Sequence, residues 1–322
     1  MADTNEIADV DELAEGSERG APAPASTLVP GNVTAPGPAT GAGRADRRRR
    51  MWRRLRRRRL AMLGLVLVVA FLLLALVVPV FLGDPEKQDF LAAFQPASGS
   101  HPLGTDDQGR DLLARVAAGA RVSLAAGVLS TAFAMLVGVP IGLVAGFYRR
   151  WLDPVVMRLV DVLLAFPFLV FAVGLAAILG PSLRNVVVAL AVSQIPGIIR
   201  ITRGEVLAIR ELDFVSAAVA DGAGDLSILF RYVLPNATSA LIVQATVAIP
   251  AGILGEATLS FLGLGVRPPA PSWGGMLTTA QQFFTQAPWL AIWPGVMIAL
   301  ATLGFNLLGD GLRDVLDPRS GR

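Results

Sequence analysis

The run SLAAGVLSTAFAMLVGVPIGLVAGF, residues 123–147, contains no charged side chain along its whole length. A helix of about 20 apolar residues crosses the roughly 30 Å hydrocarbon core of a bilayer. The 322-residue chain repeats such blocks, is 53% hydrophobic and 16% charged, and has a mean hydropathy of +0.58. These values disfavour a soluble protein with buried helices. A transmembrane β-barrel would instead show segments of about ten residues with alternating polarity. The sequence therefore predicts an all-α integral membrane protein.

Six transmembrane helices are expected, and several of them contain proline. Proline is compatible with a membrane helix because neighbouring helices can satisfy the backbone groups that it frees. The third span carries the pair Phe166-Pro167. The predicted spans are about 60–82, 122–147, 155–179, 185–204, 237–264 and 289–309.

The positions of arginine predict the orientation, because cytoplasmic segments carry the excess of basic residues. With the amino end inside, the short external loops hold only Arg184 and Arg267. The long external loop 83–121 weakens this bias without reversing it. Both termini and the segment between spans four and five are therefore expected in the cytoplasm. The arginines that fall inside are those of 47–59 and Arg149, Arg150, Arg203, Arg210, Arg231, Arg313, Arg319 and Arg322.

The two ends of the chain differ from the span region 60–312. Residues 1–46 are rich in Pro, Ala and Gly after an acidic start, a composition that predicts a disordered cytoplasmic tail. Residues 47–59 form a basic juxtamembrane segment. A nucleic-acid-binding arm is the alternative interpretation, but its position directly before a span favours contact with anionic lipid. Residues 313–322 are predicted to be a cytoplasmic carboxyl terminus.

The composition excludes several classes of site. The chain has no cysteine and one histidine, which excludes disulfides, thiolate metal sites and multi-histidine zinc sites. The lysine Lys87 lies in DPEKQDF and not in a phosphate-binding loop. His101 lies in HPLGTD, without a nucleophile elbow, and is interpreted as an ordinary loop residue. We predict no catalytic, cofactor-binding or metal site, and therefore no enzyme.

The segment SAAVADGAGDLSILFRYVLPN, residues 216–236, is half polar yet lies between two predicted spans. We expect a helix capped by Asp213 or Ser216, a turn at Gly222 and Gly224, and a second amphipathic piece. Pro235 is expected to end that piece and begin span five. A short helix with a small-residue face suits docking into a groove of another protein. An interfacial helix lying on lipid is the alternative. The second piece has Leu226, Leu229, Val233 and Leu234 roughly on one side.

This segment resembles the cytoplasmic EAA loop of permease subunits in ABC importers that are fed by a solute-binding protein. The loop has Glu-Ala-Ala, a Gly four residues after the second Ala, an Ile six residues further on, and then Leu-Pro. Ser216 stands where the family usually has Glu, which leaves that position's ionic contact unsupported but keeps the spacing. The matching positions here are Ser216, Ala217, Ala218, Gly222, Ile228, Leu234 and Pro235.

Three more motifs resemble the second permease of dipeptide and oligopeptide importers, and nickel-importer permeases share most of them. The motifs are HPLGTDDQGRDLLARVAAGARVSL (101–124), GEATLSFLGLGVRPPAPSWGGML (255–277) and NLLGDGLRDVLDPR (306–319). The resemblance implies the ABC importer type I permease fold in a bacterial cytoplasmic membrane. It also implies a second homologous permease, one or two ATPase subunits that hold ATP and Mg, and an extracytoplasmic solute-binding protein, with no nucleic acid and no cofactor in this chain.

The function that this resemblance implies is import of di- or oligopeptides, with segment 211–235 as the coupling loop to the ATPase. Import of nickel or another small solute is the alternative for the substrate. An ion-driven secondary transporter is the alternative of a different class, and it would usually show inverted repeats. A channel or scaffold would need no coupling helix.

Polar side chains inside the predicted spans are candidates for the transport pathway. Glu256 should face the bundle interior or water, either as a gate or pathway contact or as a partner of backbone amides near Pro250 or Gly255. Gln194 and Gln244 are pathway candidates, although hydrogen bonds between helices are favoured for both. Arg158 and Asp161, three residues apart on one helix, are expected to pair. Residues 107–120 are expected to form a short helix at the external membrane surface.

Overall fold

The computed structural model describes residues 53, 55, 56 and 58–316, and within that part the regular elements are helical. The predicted tail 1–46, most of the basic segment 47–59 and residues 317–322 lie outside the described residues. The helices, in chain order, are α1 Arg59–Leu76, α2 Val78–Phe81, α3 Leu112–Tyr148, α4 Leu152–Leu164, α5 Phe168–Leu179, α6 Leu183–Arg210, α7 Asp213–Ala220, α8 Asp225–Ile228, α9 Leu234–Phe261, α10 Trp273–Gln282 and α11 Trp289–Leu316.

Five helical stretches of the described chain are long and apolar enough to cross a membrane, and a bent pair of helices stands in the place of the third predicted span. The pair is α4 and α5, which meet at an angle of 86°. The break falls at Phe166-Pro167, because proline has no N–H and disfavours the helical conformation of the residue before it. The long stretches are Arg59–Phe81, Leu112–Tyr148, Leu183–Arg210, Asp225–Phe261 and Trp289–Leu316.

The longest interface joins α3 to α6 through glycines spaced four residues apart. A Cβ on Gly142 would lie 2.6 Å from the Thr202 Cβ and 2.8 Å from the Ile199 carbonyl oxygen, so only glycine permits this approach. Gly138 and Gly146 meet Ile198 and Val206 in the same way. Small residues allow membrane helices to pack closely where lipid gives no hydrophobic driving force.

The direction of these two helices determines how the bent pair crosses the membrane. The contacting positions rise together, from Gly138 with Ile198 to Gly146 with Val206, so α3 and α6 run the same way. The chain between them, α4 and α5, must therefore return across the membrane. The predicted all-α membrane fold is confirmed, with the third crossing made by a bent pair rather than by one straight helix.

Close approach of glycine recurs where other spans meet. A Cβ on Gly64 of α1 would lie 2.5 Å from the Leu308 backbone nitrogen of α11. A Cβ on Gly127 of α3 would lie 2.6 Å from Ile253 Cγ1 of α9. The first and last long helices and the centre of the bundle are thus held at backbone-to-backbone distance.

The loop that was predicted to be external ends earlier than its predicted boundary of 121. Helix α3 begins at Leu112, where the Asp111 carboxylate accepts a hydrogen bond from the Ala114 N–H at 2.9 Å. The expected separate helix 107–120 is therefore wrong, because residues 112–120 form the first turns of α3. These turns are largely buried, with Leu112 and Val116 in one core cluster with Trp273, so they pack in the bundle rather than on the membrane surface.

A buried charge cluster ties this loop to the loop between α9 and α10. The Asp106 carboxylate accepts hydrogen bonds from the Arg110 Nε at 2.6 Å and backbone N–H at 3.0 Å, and lies 3.3 Å from the Arg115 Nε. Arg115 also donates to the carbonyl oxygens of Pro85 and Pro269 at 3.1 and 3.4 Å. The two loops therefore form a folded layer with its own polar core.

His101 belongs to the same folded layer. Its Nδ1 lies 3.1 Å from the carboxylate of Asp111, the residue that caps α3. It remains a loop residue, as expected, with a contact to the start of the helix.

Candidate functional site

The segment between α6 and α9 forms two helical pieces around a tight turn. Helix α7 begins at Asp213, after Leu212, and no side chain caps it. The expected capping by Asp213 or Ser216 is therefore wrong. Asp213 instead occupies the first turn, where a carboxylate is favoured by the partial positive charge of the helix amino end.

The turn is centred on Gly222, as predicted. Gly222 has φ of +78°, and its N–H donates to the Val219 carbonyl at 3.0 Å, while the Ala223 N–H donates to the Ala218 carbonyl at 3.0 Å. This pair of bonds is the Schellman ending of a helix, which needs a left-handed residue. No atom lies within 4 Å of a Cβ built on Gly222. The backbone conformation, rather than lack of space, therefore selects glycine here.

One face of the segment packs on the spans. Ala218 and Ile228 are buried, and Ile228 shares a core cluster with Phe147 of α3 and Val206 of α6. Leu229 and Val233 are buried in the same cluster, as their shared face predicted, but Leu226 points away and is 66% exposed.

The other face is exposed and apolar. It includes Ser216 and Ala217 of the motif together with large apolar side chains. These are Leu212, Phe214, Val219, Leu226 and Phe230. The segment is thus anchored to α3 and α6 on one side and offers a contact surface on the other.

The second piece continues into span five without a break. Residues 229–233 form a π-helical turn, in which the Leu234 N–H donates to the Leu229 carbonyl. Pro235, which has no N–H, follows in the first turn of α9. The expectation that Pro235 ends the second piece is wrong, because the wider π turn shifts the backbone pairing and accommodates it. Residues 225–261 are therefore one helical rod.

Glu256 lies inside the bundle and is fully buried. Its carboxylate accepts hydrogen bonds from Ser123 Oγ of α3 at 2.7 Å and from Ser260 Oγ of α9 at 2.6 Å. The predicted interior position is confirmed, but the partners are serine hydroxyls and not backbone amides. In this conformation Glu256 joins two spans and has no exposed surface.

Gln194 links α6 to α3, and Gln244 makes no such link. Gln194 accepts a hydrogen bond from Thr131 Oγ1 at 3.2 Å and donates one to Ser130 Oγ at 3.3 Å. The favoured interpretation as a hydrogen bond between helices is confirmed for Gln194. Gln244 is half-buried, and within residues 58–316 its side chain has no hydrogen-bond partner.

Two ion pairs join the bent pair to α6, and neither was expected from the sequence. Asp161 pairs with Arg200, and Asp153 accepts two hydrogen bonds from Arg203, at 2.5 and 2.7 Å. The predicted pair of Arg158 with Asp161 is wrong, because α4 packs against α6 and brings arginines on the neighbouring helix nearer. Arg158 is exposed. The signal for these pairs would have been complementary charge on two helices, which is visible only once their packing is known.

Comparison with known proteins adds two family matches. Residues 138–322 match the family described as binding-protein-dependent transport system inner membrane component. Residues 47–97 match the N-terminal TM domain of oligopeptide transport permease C.

Similar whole proteins come from several bacteria. The dipeptide transport system permease protein DppC of Alkalihalophilus pseudofirmus is 41% identical, over 84% of this chain and 90% of the relative. The glutathione transport system permease protein GsiD of Pectobacterium atrosepticum is 41% identical, over 84% of this chain and 91% of the relative. The di/tripeptide transport system permease protein DppC of Pseudomonas aeruginosa is 44% identical, over 80% and 87%.

Proposed function

Because this chain belongs to the family of binding-protein-dependent transport system inner membrane components, we propose that it is the permease subunit of an ATP-driven importer of di- or oligopeptides. The family predicted from the four motifs is confirmed, and with it the type I permease fold. The observation that supports the substrate class is that the relatives compared above are named for dipeptides, di- and tripeptides or glutathione. As a transport permease, the chain is not an enzyme.

The segment 211–235 is the coupling element of this importer in our proposal. Ser216, Ala217, Ala218, Gly222, Ile228, Leu234 and Pro235 carry the motif spacing, and the exposed apolar face offers a surface for an ATPase subunit. Its continuity with span five supports this role, since a push on the segment reaches the membrane through one rod. ATP and Mg would be held by the ATPase partners.

The acidic residues of the segment argue against the alternative of an interfacial helix on lipid. Glu211, Asp213, Asp221 and Asp225 are all exposed around the apolar face. Helices that lie on a membrane surface carry Lys and Arg on their polar face, because the cytoplasmic leaflet is anionic. A protein groove is therefore the better partner for this surface.

The remaining partners and the orientation follow from the same proposal. A second homologous permease completes the pathway, and an extracytoplasmic solute-binding protein delivers the peptide. Six crossings would put both termini on one side, and the arginine distribution assigns that side to the cytoplasm. Import of nickel or another small solute is the alternative for the substrate.

Reconstitution of the whole importer in proteoliposomes tests the proposal. We expect uptake of a radiolabelled dipeptide that requires ATP and the solute-binding protein and that persists when ionophores collapse the ion gradients. Mass spectrometry of the intact complex should find a second permease and the ATPase subunits. Uptake of nickel in place of peptide would overturn the substrate class. Uptake driven by an ion gradient without ATP would overturn the proposal as a whole.

A further inference from the structure

The ion pair of Arg200 with Asp161 lies within the predicted spans. The fourth predicted span, 185–204, ends four residues after Arg200, about 6 Å along the helix axis at about 1.5 Å per residue. Arg203 lies at the end of that span and Arg210 lies beyond it. The guanidinium-bearing residue Arg200 is therefore about 6 Å inside the hydrocarbon layer.

At this depth the pair is not covered by its own chain. The side chains of Arg200 and Asp161 are 49% and 55% exposed. Charged groups inside a membrane are costly in lipid and face protein or a water-filled cavity. Next to Arg200 on α6, the positions Gly197 and Gly204 have no atom within 4 Å of a built Cβ. The surface beside the pair is thus open.

The backbone next to Asp161 gives an independent indication of the same surface. The helix breaks at 165–167, and all three residues are exposed. Non-helical backbone at membrane depth is tolerated only where it is buried in protein or lines a water-filled cavity, because lipid offers it no hydrogen bonds. The broken helix and the ion pair therefore face the same kind of environment.

The second ion pair shows that Arg200 and Asp161 are not needed simply to hold the bent pair. Arg203 and Asp153 make two parallel hydrogen bonds, and their side chains are only 29% and 12% exposed. This bidentate pair already fastens α4 to α6. The exposed pair lies deeper in the membrane and keeps donor and acceptor capacity free.

We propose that Arg200 and Asp161 line the translocation pathway and contact the charged termini of the passing peptide. This inference rests on the proposed function. The Arg200 guanidinium has N–H donors in a planar fork that fits the carboxylate of the peptide. Asp161 accepts hydrogen bonds from the terminal ammonium. In the empty pathway the two side chains neutralise each other, so neither charge is left unpaired at membrane depth.

Thiol accessibility tests the exposed face. The chain has no cysteine, so Ile201→Cys beside Arg200 would give the only thiol of this chain, and its labelling is read from the separated permease band. Its matched control is Ile141→Cys, since the two isoleucines are 38% and 36% exposed. They also lie at the same level, because Gly142 faces Thr202. The exposed residues near Ile141 on α3 include Leu136, Pro140 and Val144, all of them apolar.

Both variants are treated in the assembled importer with a cationic, membrane-impermeant methanethiosulfonate reagent, without nucleotide and in the vanadate-trapped state. In at least one of the two states, we expect the thiol of Ile201→Cys to react at least about tenfold faster than the thiol of Ile141→Cys, because thiolate forms only in contact with water. Added dipeptide should slow that reaction. Equal or slower reaction in both states would overturn the inference, since lipid or the partner permease would then cover this face.

A transport measurement tests the chemistry of the contact. Arg200→Gln keeps a hydrogen-bonding side chain but removes the charge. Uptake is compared for a dipeptide and its carboxyl-terminal amide, each preloaded on excess solute-binding protein, so that delivery is equal. We expect Arg200→Gln to lower the ratio of free acid to amide uptake by about tenfold, the size of one hydrogen bond to a charged group.

Arg203→Gln is the matched control, and it should lower both uptakes alike, because Arg203 has a structural role. An unchanged ratio in Arg200→Gln, or the same change of ratio in Arg203→Gln, would overturn the inference. If the unaltered importer carries neither peptide with ATP, the proposed function fails instead, and the thiol experiment still reports on the face of α6.

Discussion

Gly222 is the position where the coupling proposal can be tested most sharply. Its φ of +78° costs a residue with a side chain about 1–2 kcal/mol, which lowers the population of the turn about five- to thirty-fold. No neighbouring atom within 4 Å adds a clash. In the free permease, Gly222→Ala and Gly222→Leu should therefore cost about the same. If Gly222→Leu transports less than Gly222→Ala, the additional loss of transport must come from a surface of another subunit that approaches the turn.

The assay is ATPase stimulation and dipeptide uptake by the reconstituted importer. We expect Gly222→Ala to lose a moderate part of its dipeptide uptake. Gly222→Asn should lose less, since Asn tolerates this conformation. Gly222→Leu should lose both uptake and ATPase stimulation. Gly224 is the matched control, because it is equally open but has φ of −69°. Gly224→Ala should be nearly neutral. If Gly222→Leu transports at the normal rate with normal ATPase stimulation, then 216–235 is not the coupling element.

Three further predictions concern packing, the buried carboxylate and the orientation. Gly142→Val should lower the thermal midpoint of the purified permease, because its Cβ would overlap Thr202 and overpacking costs about 1–3 kcal/mol. Gly174→Val, in open space, is its control, and an equal shift in both would contradict the helix contact. Glu256→Ala should lower the midpoint more than Glu256→Gln, since it leaves two buried hydroxyls without an acceptor at about 1–3 kcal/mol. Equal effects would mean that those hydrogen bonds contribute nothing. Ser100→Cys should react with an impermeant thiol reagent added outside intact cells, and labelling only after the membrane is opened would reverse the orientation.

The crossings were predictable because bilayer thickness sets a length that apolar blocks must reach. The break in the third span was not predictable, because a proline in a membrane helix can either stay within the helix or break it. Four prolines lie inside long helices, and three of these are buried among neighbours. Pro140 is exposed yet stays within α3, whereas Pro167, which is also exposed, lies at a break. Neither the residue type nor its exposure therefore decides between these outcomes. The four are Pro140, Pro196, Pro250 and Pro294.

The coupling segment was predicted better at its turn than along its helices. Gly222 follows from a local rule, since few other residues accept a left-handed conformation. The exposed position of Leu226 and the continuity through Pro235 depend on a π turn, which no spacing rule indicates. The ion pairs of α4 with α6 depend on tertiary packing for the same reason, because equally spaced charges on one helix suggested a different partner for Asp161.

The structure also indicates how movement of the coupling segment would be distributed. Residues 225–261 form one helical rod, which is buried near its amino-terminal end against α3 and α6 and is fastened at Glu256 to Ser123 of α3. Helices α3 and α6 are joined by glycine contacts along their length. A force on the segment therefore reaches α3, α6 and α9 together, as one packed body. The bent pair is held to this body by the bidentate ion pair of Asp153 with Arg203 and, through α5, by a buried cluster that Ala172 and Ala176 form with residues of α6 and α9.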